Sequence, residues 1–194
     1  MRTNWIRRIG TTAVAALLVV SMAGCPATTI VVINDEVLDA AIRSALGQPL
    51  GFLTRADLLT LHSLDARDLN IRNLSGLEYC TNLTFLDLSG NPISDITPLA
   101  TLVNLQSLNL DGTDVYDIAA LAGLQNLDSV SLCGSLITDI QALVTNSVNG
   151  GLGPGDFVNV TCGALGDQAE TFDIPFLEGE GVNVVCCDDS EGEA

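Results

Sequence analysis

From Leu61 onward, apolar residues return at the same offsets every 22 residues. Leu61, Leu83, Leu105 and Leu127 open the units; Leu64, Leu86, Leu108 and Val130 form a second column, and Ala66, Leu88, Leu110 and Leu132 a third. Further columns run through Ile71, Ile93, Val115 and Ile137, through Leu74, Ile96, Ile118 and Ile140, and through Leu77, Leu99, Leu121 and Leu143. One unit cannot bury so many apolar side chains by itself, whereas stacked units share a continuous core, so the period predicts a solenoid. Around the second and third columns apolar and polar positions alternate, as at Leu86-Asp87-Leu88, which predicts a short strand in each unit. The half from Ile93 to Leu99 lacks that alternation and is expected to turn back along the convex side. Neighbouring strands then build a parallel sheet at a spacing of about 4.8 Å.

This pattern, clearest from Leu83 to Asn104, resembles the leucine-rich repeat in the 22-residue variety found in bacterial surface proteins such as the internalins. The resemblance implies an α/β fold: a short leucine-rich repeat solenoid with a parallel β-sheet on the concave face, a helical N-terminal cap and a mixed C-terminal cap. The family usually places Asn at the position of Asn91, but here the same column holds Leu69, Thr113 and Ser135, so hydroxyls must do part of the hydrogen bonding. Asp95, Asp117 and Asp139 form a further column, read as caps of the short helical turns that follow rather than as a metal ladder.

The chain divides accordingly into residues 1–24, a lipoprotein signal peptide; 25–33, a tether; 34–60, the N-terminal cap; 61–148, four repeats; 149–187, a Gly-rich loop and C-terminal cap; and 188–194, an acidic tail. Arg2, Arg7 and Arg8 precede an apolar run at residues 13–20, too short for a membrane span and typical of a secretory signal. Ser21-Met22-Ala23-Gly24-Cys25 resembles a bacterial lipobox, which implies cleavage before Cys25 and its lipidation; the alternative is an ordinary signal peptide with Cys25 a bystander. Eight tether residues span at most about 27 Å, so an anchored domain would stay near its bilayer. In the N-terminal cap, Asn34-Asp35 starts a helix with apolar face Val37, Leu38, Ala41, Ile42, Ala45 and Leu46, stopped by Gly47, and Thr54 with Asp57 has capping-box spacing. After the inserted loop at 149–155, Val158 and Val160 take the places of the paired leucines, Asp167 opens a helix that Pro175 should interrupt, and Val182 and Val184 form a closing strand.

The net charge is −17, and removal of residues 1–24 leaves four basic against 24 acidic residues, or −20. Such a surface excludes nucleic-acid binding, which needs cationic contacts to phosphate, and it leaves membrane attachment to the lipid. Among the six cysteines, Cys80 falls in a core column as a buried free thiol. Cys133 aligns with Ser89, Cys162 with Gly90, and Cys186 and Cys187 with Gly90 and Asn91, at one rim of three successive strands. Neighbouring strands lie within disulfide reach, and export favours oxidation, so Cys162 is expected to pair with Cys186 or Cys187, and Cys133 with a remaining partner; a four-thiolate zinc site is the alternative.

No catalytic, cofactor or metal site is read from the sequence. The single histidine, His62, occupies a polar surface column with no assignable nucleophile. Binding is the stronger reading, because side chains between the paired leucines point to the concave face. The candidate contacts are Asp65, Arg67, Phe85, Asp87, Asn109 and Asp111, with Phe85 the large apolar member and packing against the N-terminal cap its alternative role. The expected function is non-catalytic recognition of a protein or glycan at a bacterial cell envelope by an exported, membrane-anchored module. A structural spacer without a dedicated ligand is the second reading, and an envelope hydrolase the third. A sheet only about 24 Å across favours weak or multivalent contacts.

Overall fold

The computed structural model describes residues 29–187; the signal peptide, Cys25 and the acidic tail expected from the sequence lie outside the described residues. Six strands, β3 (Ser63–Asp65), β4 (Phe85–Asp87), β5 (Ser107–Asn109), β6 (Ser129–Leu132), β7 (Phe157–Val160) and β8 (Asn183–Cys186), form one parallel sheet in chain order. Their register follows the repeat: Leu64 pairs with Leu86, Leu86 with Leu108, Leu108 with Val130, and Val130 with Val158. The apolar columns are buried, from Leu61 at the first unit to Leu143 at the fourth, and join the two caps in a single core. On the convex side the chain returns through 3-10 turns at Leu77–Tyr79, Thr97–Thr101 and Ala119–Gly123, and through helix α3 (Gln141–Val148) in the fourth unit.

Strands β3 to β6 each end in a turn that needs a left-handed residue, supplied by Asp68 (φ 56°), Gly90 (67°), Gly112 (62°) and Gly134 (65°). Glycine meets that demand without a Cβ penalty, and Asp is among the few other residues that tolerate it. At Gly90 a Cβ would collide with the Asp68 carboxylate beneath it.

Asn91 then fills the inside of the turn. Its Oδ1 accepts from the backbone N–H of Leu69 (3.0 Å) and Ile71 (2.9 Å), and its Nδ2 donates to the carbonyls of Ala66, Leu88 and Ser89. Thr113 and Ser135 replace it with single hydroxyl bonds to Leu110 O (2.7 Å) and Leu132 O (2.6 Å). The carboxylates of Asp95, Asp117 and Asp139 accept from the backbone N–H of Thr97, Ala119 and Gln141, opening the convex turns. An asparagine ladder does exist, on another column: Nδ2 of Asn82, Asn104 and Asn126 donates to the carbonyls of Leu59, Thr81 and Val103, each in the preceding turn.

Helix α1 (Glu36–Leu46) covers the first repeat with Leu38 and Ile42 fully buried, whereas Val37 and Ala45 stand at its exposed margin. Asp35 caps it and also holds it to the stack. One carboxylate oxygen accepts from the N–H of Val37 and Leu38, the other from the N–H of Arg72 and Asn73. Gly47, at φ 66°, ends the helix. Thr54 and Asp57 form the capping box of α2 (Arg55–Leu58). The last part of the segment read as tether is not free: β1 (Ile30–Val31) pairs antiparallel with β2 (Leu53–Thr54), and Val31 and Ile33 are buried.

At the far end, 28 rather than 22 residues separate equivalent positions on β6 and β7. Asn146, fully buried, holds the insertion by donating to Leu121 O and Leu124 O and accepting from Leu152 N–H. Pro175 does not interrupt a helix. It sits in the first turn of α4 (Ile174–Gly179), where the missing N–H is tolerated, after a single π turn at Ala169–Asp173.

The closing strand is shifted by two residues from the sequence expectation: Val184, not Val182, pairs with Val158, and Cys186 pairs with Val160. Val182 instead closes α4, its N–H donating to Leu177 O at 3.0 Å, while its side chain enters the core. Cys186 and Cys187 therefore stand at the levels of Leu88 and Ser89 rather than Gly90 and Asn91. Disulfides join Cys162 to Cys186 and Cys133 to Cys187, with Cα separations of 5.2 and 5.8 Å. Cys80 is the free thiol among the described residues; burial, with a smaller contribution from Glu78, pushes its pKa up to about 12.

Candidate functional site

The strands present their intervening side chains as rows across the sheet. The first row is Ser63, Phe85, Ser107, Ser129, Phe157 and Asn183; the second is Asp65, Asp87, Asn109, Ser131, Asn159 and Val185. Phe85 is 38% exposed and therefore not sequestered by the N-terminal cap. Phe157, absent from the sequence-based set, is 52% exposed in the same row. Three strand steps separate the two rings, about 14 Å, with Ser107 and Ser129 between them. The insertion before β7 hid this equivalence from the 22-residue count, yet Phe157 precedes Val158 as Phe85 precedes Leu86.

The charged candidates are largely engaged with one another. Arg67 grips Asp65 through Nε to Oδ1 (3.0 Å) and Nη2 to Oδ2 (2.6 Å), and this hydrogen bonding holds the Asp65 carboxyl below the usual carboxylate range. Both side chains are about half exposed. Asp87 is corrected as a free contact: it is 5% exposed, and Oδ1 accepts from the N–H and Oγ of Ser89 at 3.0 and 2.6 Å. Arg67 Nη1 lies 4.0 Å from its Oδ2. Asp111 is also occupied, accepting from Ser131 Oγ and the N–H of Cys133, both at 2.7 Å, while Asn109 Oδ1 accepts from the N–H of Asp111. These bonds arise because Asp87 and Asn109, the last residues of their strands, reach the N–H two residues on, while Asp111 reaches the N–H of Cys133 in the next unit.

The face therefore offers two aromatic edges over a floor of hydroxyls and amides, with one ion pair at its N-terminal corner. No arrangement for catalysis emerges around His62, whose exposed ring places Nδ1 2.8 Å from Thr60 O. A groove of about 500 Å³ opens on the other side of the stack, between the Ala119–Gly123 turn and α3, beside the exposed Tyr116. Its Asp117 and Asp139 carboxylates already cap the convex turns. It brings no set of converging polar groups together, and the sheet surface is the better candidate.

Comparison with known proteins agrees with the fold. A model of two leucine-rich repeat copies matches residues 60–101. An internalin, inlF, from Listeria monocytogenes superposes with a TM-score of 0.61 at 27% identity, over 75% of this chain and 48% of that one. Internalin C2 of the same organism gives 0.61 at 24% identity, over 81% and 77%. A leucine-rich repeat protein of Leptospira interrogans gives 0.52 at 15% identity, over 69% and 38%. The chain spans about half the length of the inlF chain it matches. The described residues thus have a leucine-rich repeat fold similar to the internalin stack.

Proposed function

We propose that this protein is a non-catalytic recognition module, exported and lipid-anchored through Cys25, whose concave face binds a protein or glycan of the bacterial cell envelope. The observation that carries the reading is the pair of exposed rings, Phe85 and Phe157, flanking the serine floor of one row. Aromatic side chains left half in water on a rigid sheet offer contact area at little ordering cost. The lipid anchor rests on the lipobox-like segment ending at Cys25, together with an apolar run of signal length. Among the described residues no helix is long and apolar enough to cross a membrane.

The small sheet favours modest affinity, strengthened when several anchored copies engage one surface. The test is recovery of envelope components by the protein and by its Phe85→Ala/Phe157→Ala variant. The reading expects at least a tenfold loss of recovered partner with the fold intact by circular dichroism. Undiminished recovery moves the site off this face. The spacer reading has one observation in its favour, the internal satisfaction of Asp87, Asn109 and Asp111. It expects no saturable partner for either protein.

A further inference from the structure

The N-terminal cap leaves its outer edge strongly apolar. Pairing of β1 with β2 sets Val31 opposite Leu53, both buried, so alternation turns Ile30, Val32 and Phe52 outward. Ile30 is 48% exposed, Val32 73%, Phe52 77%, and Leu50, on the adjoining loop, 88%. Four large apolar side chains on one small cap are more than the scattered singles a soluble surface carries, and such a patch marks a contact surface.

We infer that this edge rests in the interface of the lipid bilayer to which the chain is tethered. The inference builds on the anchoring proposed above. Ile30 is five residues from Cys25, a reach of at most about 18 Å, because the segment that could have been free tether is consumed by β1. A small domain is about 30 Å across, so the gap between an anchored Cys25 and the cap is too narrow for a folded partner but suits the headgroup region itself.

Charge points the same way. Charges at the rim balance: Arg43 Nε donates to Asp39 Oδ2 at 2.6 Å and Arg43 Nη1 to Gly51 O at 3.0 Å, while Arg55 and Glu78 border Ile30 and Val32 on the other side, two basic against two acidic groups in a chain of net charge −17. Elsewhere the acidic surface is repelled by anionic lipid, whereas this edge can approach. Apolar and aromatic side chains lying in the interface supply the second attachment that makes a lipid anchor hold firmly. Because β3 stands next to the cap and β8 at the far end, the sheet would extend away from the bilayer with its concave face open.

The experiment uses the mature, lipidated chain in phosphatidylcholine vesicles carrying brominated acyl chains, with Phe52→Trp and Tyr116→Trp variants; cleavage before Cys25 removes Trp5, the single native tryptophan, so each introduced indole reports alone. Flotation reports the anchor, and quenching reports the orientation. The expected result is flotation of both variants, with bromolipid quenching at least twofold stronger for Phe52→Trp. Flotation with equal quenching overturns the bilayer contact and leaves the anchor standing, including the case in which the patch pairs two copies of the chain. Failure to float overturns the anchor and the bilayer contact together.

Discussion

Asn91, itself fully buried, carries hydrogen bonds to five backbone groups, whereas Thr113 and Ser135, at equivalent positions, carry one each. Leaving a buried polar group unpaired costs about 1–3 kcal/mol, so the two kinds of site differ in consequence. Asn91→Leu is expected to lower stability by about 3 kcal/mol or more and Thr113→Val by about 1 kcal/mol, read from urea midpoints at unchanged slope. The division of labour was legible in the column, because a hydroxyl can replace only part of an amide. The ladder of Asn82, Asn104 and Asn126 lies in the sequence as three asparagines at the repeat period, outside the column of Asn91. The engagement of Asp87 was not legible, since alternation tells which face a side chain leaves from and not which neighbouring N–H it finds.

At the scale of elements, α1 is fastened by Asp35, which serves the helix with one oxygen and the first repeat with the other. Partial burial pushes its pKa up, but the four backbone N–H donors, Arg72 first, more than offset this and leave it below the ordinary value of 3.8. A depressed carboxylate contributes stability that is present above the unfolded pKa and lost as pH falls through the folded one. The stability gap between the protein and Asp35→Ala is therefore expected to be constant near neutrality and to shrink below about pH 3.8, as followed by urea unfolding across that range. At the other end, β8 lies at the sheet edge and is held by Cys162–Cys186, which closes a 24-residue separation. Replacing both cysteines by Ser should cost about 3 kcal/mol. Hydrogen exchange should show protection lost first in β8 while β4 and β5 keep theirs. The strand itself was foreseen, but its register was not: two valines at 182 and 184 fit either alignment, and only the packing of α4 draws Val182 out of the strand.

The whole molecule is a short stack closed by a helical cap at one end and a disulfide-joined cap at the other. Its scaffold was readable because identical offsets must fall on identical faces once units stack. Its surface was less readable, because the residues that recognise anything are those the repeat does not constrain, and an insertion of six residues shifted Phe157 out of its column. Contact with a partner is expected across the row from Phe85 to Phe157. Photo-crosslinking in intact cells tests it most directly, with a benzoylphenylalanine placed in turn at Phe85, Phe157 and the convex Tyr116. The expected result is one shared adduct from Phe85 and Phe157 and none of that species from Tyr116. An adduct formed at Tyr116 and absent from both phenylalanine positions would contradict it.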